Sequence, residues 1–428
     1  MTTHFATGSA TTELTNDDFR EALASVFKQI GSRKKVLLLP PDMSRLPSRA
    51  GELTVLSREL LGDAVTDIMP ALGTHSAMTP AQLDHMFPGI PHNLFRVHRW
   101  RDDVVTIGNV PADYVREVTE GIWERDWPAQ VNRLLIEGGH DLIFSIGQVV
   151  PHEVIGMANY SKNVFVGTGG VRGINESHFL SAAYGMERVM GRADTPLRRI
   201  LNYAQDHFCG DMPLLYALTV VEQVDGGELK TRGLFIGDDH TTFERAAELA
   251  YEVNFIHLEH SPRHVVAYLD PSEFKSTWLG NKAIYRSRMA IADHGKLTIL
   301  APAVKEFGED AQIDQLIRRY GYRTSVEVLE LVKQHEDLAA NLSAAAHLIH
   351  GSSENRFEVI YGAGGLTQQE VESVGYSYGD IESLSKRYDI RVLTDGWNRD
   401  TDGSEFYFIR NPALGLWEAD RSTATNAR

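Results

Sequence analysis

The chain has 428 residues, a formal net charge of −16, 43% hydrophobic residues and 23% charged residues, which is typical of a globular protein with a sizeable core. No lysine- or arginine-rich cluster offsets the negative charge, so nucleic acid and membranes are not expected partners, whereas a few local cations could still bind a small anionic substrate. The chain has a single cysteine, Cys209, so an internal disulfide framework is excluded, and this residue is expected to be buried and apolar in character. The polar N-terminus and the absence of a long apolar run predict a cytoplasmic protein.

Short β-like runs alternate with helical patterns, which predicts an α/β fold with mostly parallel sheets. In the first part of the chain, strands are predicted at 35–40, 65–72, 141–146, 164–166, 218–224 and 233–236. Helices are predicted at 53–61, 79–86 and 241–252, with Thr79 as the N-cap of the second.

A second α/β set follows. Strands are predicted at 264–269, 296–300, 357–360 and 390–393, and helices at 281–292, 310–320 and 326–347. The pattern therefore predicts two α/β domains, 1–262 for cofactor binding and catalysis and 263–428 as a C-terminal domain, with an active-site cleft between them.

Polar residues follow three predicted strands, where parallel sheets bind their ligands. Asp42 and Arg45 follow the first strand, and Arg45 could clamp a carboxylate with two hydrogen bonds. His75 and His152 each follow a strand, and imidazole suits general acid–base work. The structural alternatives are a helix cap at Asp42 paired with Arg45, and histidines that only make structural hydrogen bonds.

The segment 151–179 is rich in glycine and carries Lys162 and His178. A lysine beside an apolar run could have a lowered pKa and act as a nucleophile or covalent anchor, although a solvated lysine at a loop edge is the alternative. His178 could bind a metal, or could be an ordinary histidine at a helix start. Two histidines after different strands could also face one substrate carbon from opposite sides, as a racemase requires.

The order and spacing of these residues resemble the lactate racemase family, whose members carry a nickel-pincer nucleotide. The resemblance extends over nearly the whole chain, including 237–250 and 297–310. It is carried by a D-x-x-R motif, a G-T-H motif, an I-G-x-x-x-P-H motif, a lysine ten residues later and a histidine sixteen further on, which are here Asp42 and Arg45, His75, His152, Lys162 and His178.

The resemblance implies a role for each matching residue. Lys162 matches the lysine that is joined covalently to the nickel-pincer nucleotide as a thioamide, and His178 matches the histidine that ligates nickel. His75 and His152 match the acid–base pair. Asp42 matches a polar residue of the cofactor pocket, and Arg45 and Lys282 match cations that grip the substrate carboxylate. Gly169 and Gly170 are expected to let the backbone approach the nucleotide, and Trp278, which departs from the family pattern, is expected to contact the substrate.

The implied activity is inversion of C2 in a 2-hydroxy acid by hydride transfer to and from the cofactor, with a 2-keto acid intermediate and separate enzymes that synthesise the cofactor. Trp278 and Leu279 stand where the family often has Tyr-Gln, which favours a substrate larger than lactate, such as a sugar acid. Two alternatives remain open. One is a simple-metal or metal-free racemase that abstracts a proton, with His75, His152 and His178 as zinc ligands in the metal form. The other is a nonenzymatic carrier of the nickel nucleotide.

Overall fold

The computed structural model describes residues 2–224, 228–413 and 415–419. Within them the chain divides into two compact units. The first comprises the described residues up to Ser177 together with Arg188–Asn254, and the second comprises His178–Glu187 together with the described residues from Phe255 onward.

The first part of the chain alternates strands with helices. Its strands are β1 (Thr3–Gly8), β2 (Val36–Leu39), β3 (Val65–Ile68), β4 (Val104–Val110), β5 (Trp127–Asn132), β6 (Leu142–Gln148), β7 (Pro151–His152), β8 (Gly156–Met157), β9 (Leu214–Gln223) and β10 (Leu229–Gly237). Its helices are α1 (Asn16–Ile30), α2 (Ala50–Leu61), α3 (Pro80–Met86), α4 (Ala112–Val118), α5 (Arg133–Glu137), α6 (Val171–Tyr184), α7 (Met186–Val189), α8 (Pro196–Phe208) and α9 (His240–Asn254). Short 3-10 helices form at Met43–Ser48, Gly62–Ala64 and His92–Leu94, and a π-helix forms at Asn163–Gly167.

The first unit is built on a six-stranded sheet in the order β1-β10-β9-β6-β2-β3. The pairs β9–β6, β6–β2 and β2–β3 are parallel, while β1 and β10 add an antiparallel edge. From β2 the chain moves outward to β3 and later returns on the other side as β6. The strand order therefore reverses beside β2, and in α/β sheets the carboxyl ends of strands at such a point form the usual ligand crevice.

The core of the first unit lies between this sheet and helices α1 and α2. All four residues of β2 are buried, as expected for a strand covered on both faces. Helix α1 starts with a capping box between Thr15 and Asp18, and it packs Phe19 and Leu23 into the core. Phe27 of the same helix meets Phe144 of β6 edge-on at 5.5 Å between ring centroids, which fixes α1 against the strand that leads to the candidate site.

The second unit has its own six-stranded sheet, in the order β15-β14-β13-β12-β17-β16, and only its β16–β17 pair is antiparallel. Its strands are β11 (Phe255–Leu258), β12 (His264–Tyr268), β13 (Lys296–Ala301), β14 (Glu358–Ala363), β15 (Ser377–Tyr378), β16 (Gly396–Arg399), β17 (Glu405–Ile409) and β18 (Leu416–Ala419). Its helices are α10 (Thr277–Gly280), α11 (Lys282–Ser287), α12 (Ala311–Tyr320), α13 (Ser325–Gln334), α14 (Glu336–Ala339), α15 (Leu342–His350), α16 (Gln368–Ser373) and α17 (Ile381–Arg387). The predicted α/β class with mostly parallel sheets is thus confirmed.

Two predicted strands are wrong. Residues 164–166 lie in the π-helix, since a short buried apolar run has the same composition in a strand and in a buried helix. Residues 390–393 form a turn, and the carbonyl groups of Ile390 and Leu393 accept hydrogen bonds from the Arg410 guanidinium instead of from a neighbouring strand. Both side chains still pack against a small core, which explains their apolar character.

Three predicted elements are shorter than expected. Strand β3 ends at Ile68 because Pro70 cannot donate to a sheet. The helix predicted at 281–292 stops at Ser287, since Met289 pairs instead with β18. The helix predicted at 326–347 is three helices, broken at His335, which is extended, and at Asn341, whose side chain caps α15.

Candidate active site

The loops after β2 and β3 are tied to each other, and the loop after β3 to the π-helix, by backbone hydrogen bonds. The Ala71 N–H donates to the Pro40 carbonyl at 2.8 Å, which holds the loop after β3 against the end of β2. The Gly73 N–H donates to the Gly167 carbonyl at 2.8 Å, which holds the same loop against the π-helix. The carboxyl ends of these strands thus support the segments that carry the predicted acid–base and anchoring residues.

Asp42 and His75 form a hydrogen-bonded pair. The His75 Nδ1 lies 2.7 Å from Asp42 Oδ2, with the carboxylate largely buried and the imidazole 58% exposed. Asp42 also caps the 3-10 helix, accepting from the Ser44 N–H at 3.2 Å and from the Ser44 hydroxyl at 2.5 Å. Burial raises the pKa of Asp42, but the hydrogen bonds from His75 and Ser44 outweigh it, so the net pKa is lowered. Asp42 is therefore both the predicted cap and a partner of a candidate acid–base group.

A carboxylate can only accept a hydrogen bond, so the pairing places the His75 proton on Nδ1. Nε2 then carries the lone pair of the neutral ring, and it has no partner among the described residues. A positioned imidazole of this tautomer is a base at Nε2.

His152 has the opposite tautomer. It is 6% exposed on the short strand β7, and its Nδ1 accepts a hydrogen bond of 3.0 Å from the Val154 backbone N–H. Because a backbone N–H can only donate, Nδ1 holds the lone pair and the proton of the neutral ring is on Nε2. His152 can therefore donate a proton from Nε2.

Lys162 lies directly before the π-helix, at the end of a tightly held turn. The neighbouring Asn163 anchors this segment to the sheet, since its Nδ2 donates to the Leu39 carbonyl at 3.2 Å and to Ser145 Oγ at 2.8 Å. These acceptors lie on β2 and β6, so Lys162 sits beside the point where the strand order reverses.

The Lys162 amine makes no hydrogen bond or ion pair with any residue that the structure describes. The residue keeps some exposed surface, but burial of the amine and the nearby Arg45 guanidinium together lower its pKa to about 8, against the opposite effect of Glu153 and Asp42. A lysine of this kind is partly neutral near neutral pH and can act as a nucleophile. It does not match the solvated lysine considered as the alternative.

The glycines of the segment pack against the protein itself. A Cβ on Gly169 would collide with the Phe165 carbonyl, and one on Gly170 would lie 2.7 Å from Gln130 Oε1. The Gly169 carbonyl also accepts a 3.0 Å hydrogen bond from the buried His98. Close packing alone accounts for these two glycines, and their cofactor-binding role stays a prediction.

The remaining predicted residues lie on helices. His178 is half-buried in the middle of α6, so it is not the helix-start histidine of the alternative interpretation. In the second unit, Trp278 lies on α10 with its ring 4.4 Å from that of His347, and Lys282 is the first residue of α11, with its amine 5.9 Å from the Phe274 ring. Their nickel- and substrate-binding roles stay predictions.

Two features of the site were not foreseen from the sequence. Asn159 and Tyr160 both have left-handed backbone conformations, with φ of 68° and 57°, and only Ser161 separates them from Lys162. Arg198 of α8 is 2% exposed and contacts this turn. The sequence signal that could have identified Arg198 is its position as a charged residue next to the apolar stripe of α8, which includes Leu197 and Leu201.

Other features lie outside this group of residues. A cavity of about 680 Å³ in the first unit has arginines that already face carboxylates: Arg96 with Asp67, Arg99 with Asp103 and Arg133 with Glu137. Cys209 is buried, as predicted. Over 2–224, 228–413 and 415–419, no helix is both long enough and apolar enough to cross a membrane.

The comparisons with known proteins agree with this architecture. Residues 14–189 match the model of the lactate racemase N-terminal domain. A solved structural-genomics protein from Thermotoga maritima is 25% identical, with a TM-score of 0.80 over 97% of this chain and 100% of that one. The lactate racemase apoprotein from Thermoanaerobacterium thermosaccharolyticum is 15% identical, with a TM-score of 0.69 over 93% of this chain and 88% of that one, a likeness of fold. No curated protein matches. Residues 14–189 thus match a lactate racemase N-terminal domain, on a chain that shares the fold of the lactate racemase apoprotein.

Proposed function

We propose that this chain is a racemase or epimerase of 2-hydroxy acids that works with a nickel-pincer nucleotide attached at Lys162. The observation that carries the proposal is the grouping of the Asp42–His75 pair, His152 and the free Lys162 amine on segments that follow β2, β3 and β6. The family match at residues 14–189 includes all of them and supports the same function.

The tautomers of the two histidines suit proton transfer at a hydroxyl group. His75 offers a lone pair at Nε2 and can accept the proton of the substrate hydroxyl, while Asp42 stabilises the imidazolium that forms. His152 holds a proton at Nε2 and can return one to the carbonyl oxygen of a 2-keto acid. For one enantiomer His75 would accept the hydroxyl proton and His152 would donate, and for the other enantiomer the two roles would be exchanged. Both rings must therefore change protonation during a full cycle.

The charges around Lys162 suit an anionic substrate. Arg45 lies close enough to lower the pKa of the Lys162 amine. A guanidinium at this position can bind a substrate carboxylate through two parallel hydrogen bonds. The substrate would then be fixed by its carboxylate while its hydroxyl faces the histidines, and a sugar acid or another acid larger than lactate fits this chemistry equally well.

The residues present fit the implied cofactor. The partly neutral Lys162 amine is suited to covalent attachment, and His178 offers an imidazole for nickel. Within the described ranges no group of three or more His, Cys, Asp or Glu side chains could hold a metal ion, which gives no support to a zinc site built from His75, His152 and His178. When bound, the nucleotide supplies hydride acceptance from C2 of the substrate and hydride return to it.

The first experiment is intact mass and nickel content of the protein made in a host that carries the cofactor-synthesis enzymes. We expect a mass addition that is lost in Lys162→Ala, and loss of nickel in His178→Ala. The matched control is Lys230→Ala, since Lys230 is a surface lysine paired with Glu13 at 2.9 Å. No addition in the wild-type protein would count against the proposal.

The second experiment is enantiomer interconversion of 2-hydroxy acids deuterated at C2. Hydride return keeps the label at C2, whereas direct proton abstraction exchanges it with solvent. A loaded protein that converts none of a broad set of 2-hydroxy acids, sugar acids included, would instead be a carrier of the cofactor.

A further inference from the structure

The turn that precedes Lys162 has an unusual backbone. Asn159 and Tyr160 are consecutive non-glycine residues in the left-handed region, and Tyr160 is fully buried. Such conformations are unfavourable for residues with a Cβ and persist only where the surroundings hold them. Part of that hold is local, since the Asn159 side chain accepts a 2.7 Å hydrogen bond from the Tyr160 N–H.

The other part comes from Arg198. Its Nη2 donates to the Met157 carbonyl at 2.6 Å and to the Asn159 carbonyl at 3.2 Å. Its Nη1 donates to the Asn159 carbonyl at 3.1 Å and to Ser161 Oγ at 2.8 Å. The guanidinium also lies over the Phe243 ring, 4.1 Å from its centroid. One side chain therefore binds three of the five residues from 157 to 161.

Arg198 has no carboxylate partner in the part of the chain that the structure describes. A buried cation without a counter-ion is unfavourable, and burial lowers the pKa of Arg198 to about 9. An apolar side chain would avoid this cost, but it would leave the Met157 and Asn159 carbonyl groups without these donors. What only a guanidinium can do here is donate to several carbonyl groups in one plane.

We propose that Arg198 is a positioning residue for Lys162: its guanidinium clamps the left-handed turn at 157–161 and so fixes where the Lys162 amine is presented. The inference rests on the proposed role of Lys162 as the attachment point of the cofactor. It adds a residue on α8, more than thirty positions away in sequence, to those that prepare the amine.

The clamp has a chemical consequence at the amine. The turn keeps Lys162 in an environment where burial and neighbouring cations, Arg45 and Arg198 among them, favour the neutral form. If the turn relaxes, the amine can reach water and regain its proton. Loss of the clamp should therefore change how Lys162 titrates, whereas a purely structural arginine would change only stability.

The test is the pH profile of Lys162 labelling in the apoprotein. Trace acetic anhydride is applied from about pH 6 to 11, and modification of the Lys162 peptide is measured by mass spectrometry relative to surface lysines. The variants are Arg198→Met, Arg198→Lys and Ser161→Ala. The control is Arg199→Met, because Arg199 neighbours Arg198 on α8 but is exposed and paired with Asp194 at 2.5 Å.

We expect half-maximal labelling of the wild-type protein near pH 8. Both Arg198 variants should shift it upward by about one pH unit or more, which lowers relative labelling at pH 8 by up to about tenfold. Ser161→Ala, which removes one of the four hydrogen bonds, should shift it less, and Arg199→Met should not shift it. If Arg198→Met does not fold, Arg198→Lys and Ser161→Ala decide the question.

Wild-type profiles in folded Arg198→Lys and Ser161→Ala would overturn the inference, as would a lowered melting temperature with an unchanged profile. The failure of the proposed function looks different. In that case the wild-type protein takes up no nickel nucleotide in the host that makes it, whatever the labelling profiles show.

Discussion

Replacing Asp42 by asparagine tests the pairing at the centre of the candidate site. The carboxylate accepts three hydrogen bonds, from His75 Nδ1 at 2.7 Å and from the Ser44 N–H and hydroxyl at 3.2 and 2.5 Å. Asparagine keeps the shape but offers one neutral oxygen. A hydrogen bond to a charged group contributes about 1.5–3 kcal/mol, and relief of the buried charge offsets part of the loss. We expect the free energy of unfolding at pH 7 to fall by about 1–2 kcal/mol, or about 2–8 °C in Tm.

The pH dependence of this loss has a fixed sign. The pKa of Asp42 is lowered in the folded protein, so its stabilisation is complete above the ordinary carboxyl pKa and is lost as the pH falls through the folded value. Thermal melts of wild type and Asp42→Asn should differ by a constant amount from about pH 5 to 8 and converge below about pH 4. Asp113→Asn, at a 95% exposed carboxylate, is the control and should change little. Equal melting temperatures at pH 7, or a gap that persists in acid, would refute the reasoning.

Three further outcomes are expected. His152→Asn keeps an acceptor for the Val154 N–H but removes Nε2, so Tm should change by no more than a few degrees while enantiomer interconversion by the loaded protein is lost. Gly156→Ala should lower stability by about 2 kcal/mol or more in a thermal melt, because φ is +87° and a Cβ would collide with the Arg192 carbonyl. Burial lowers the pKa of His98 from 6.5 to about 4, so the unfolded chain binds more protons between these values and stability falls as the pH drops through them. In His98→Gln the loss of unfolding free energy between pH 6.5 and pH 4 should be smaller by up to about 3 kcal/mol, and an unchanged slope would contradict the lowered pKa of His98.

Local sequence signals predicted the supports of the site well. The apolar run of β2 and the Thr79 cap of α3 both form as expected, since each depends on a few adjacent residues. The predicted loops after β2, β3 and β6 follow from the strand pattern and from the rule that parallel strands present their carboxyl ends together.

The contacts within the site were beyond sequence reasoning. Asp42 and His75 are 33 positions apart, and nothing in either motif indicates that the two side chains meet. The π-helix after Lys162 was mistaken for a strand because burial on all sides gives both the same apolar composition. The grouping of His178–Glu187 with the second unit likewise depends on tertiary contacts, which a continuous division of the chain does not represent.

The hydrogen bond from the Gly73 N–H to the Gly167 carbonyl joins two segments that carry different chemistry. One segment continues to His75 and the other begins at Lys162. The bond therefore couples the positions of the two backbone segments. If the cofactor is attached at Lys162 as proposed, a shift of the π-helix would reach the loop that carries His75 along this bond.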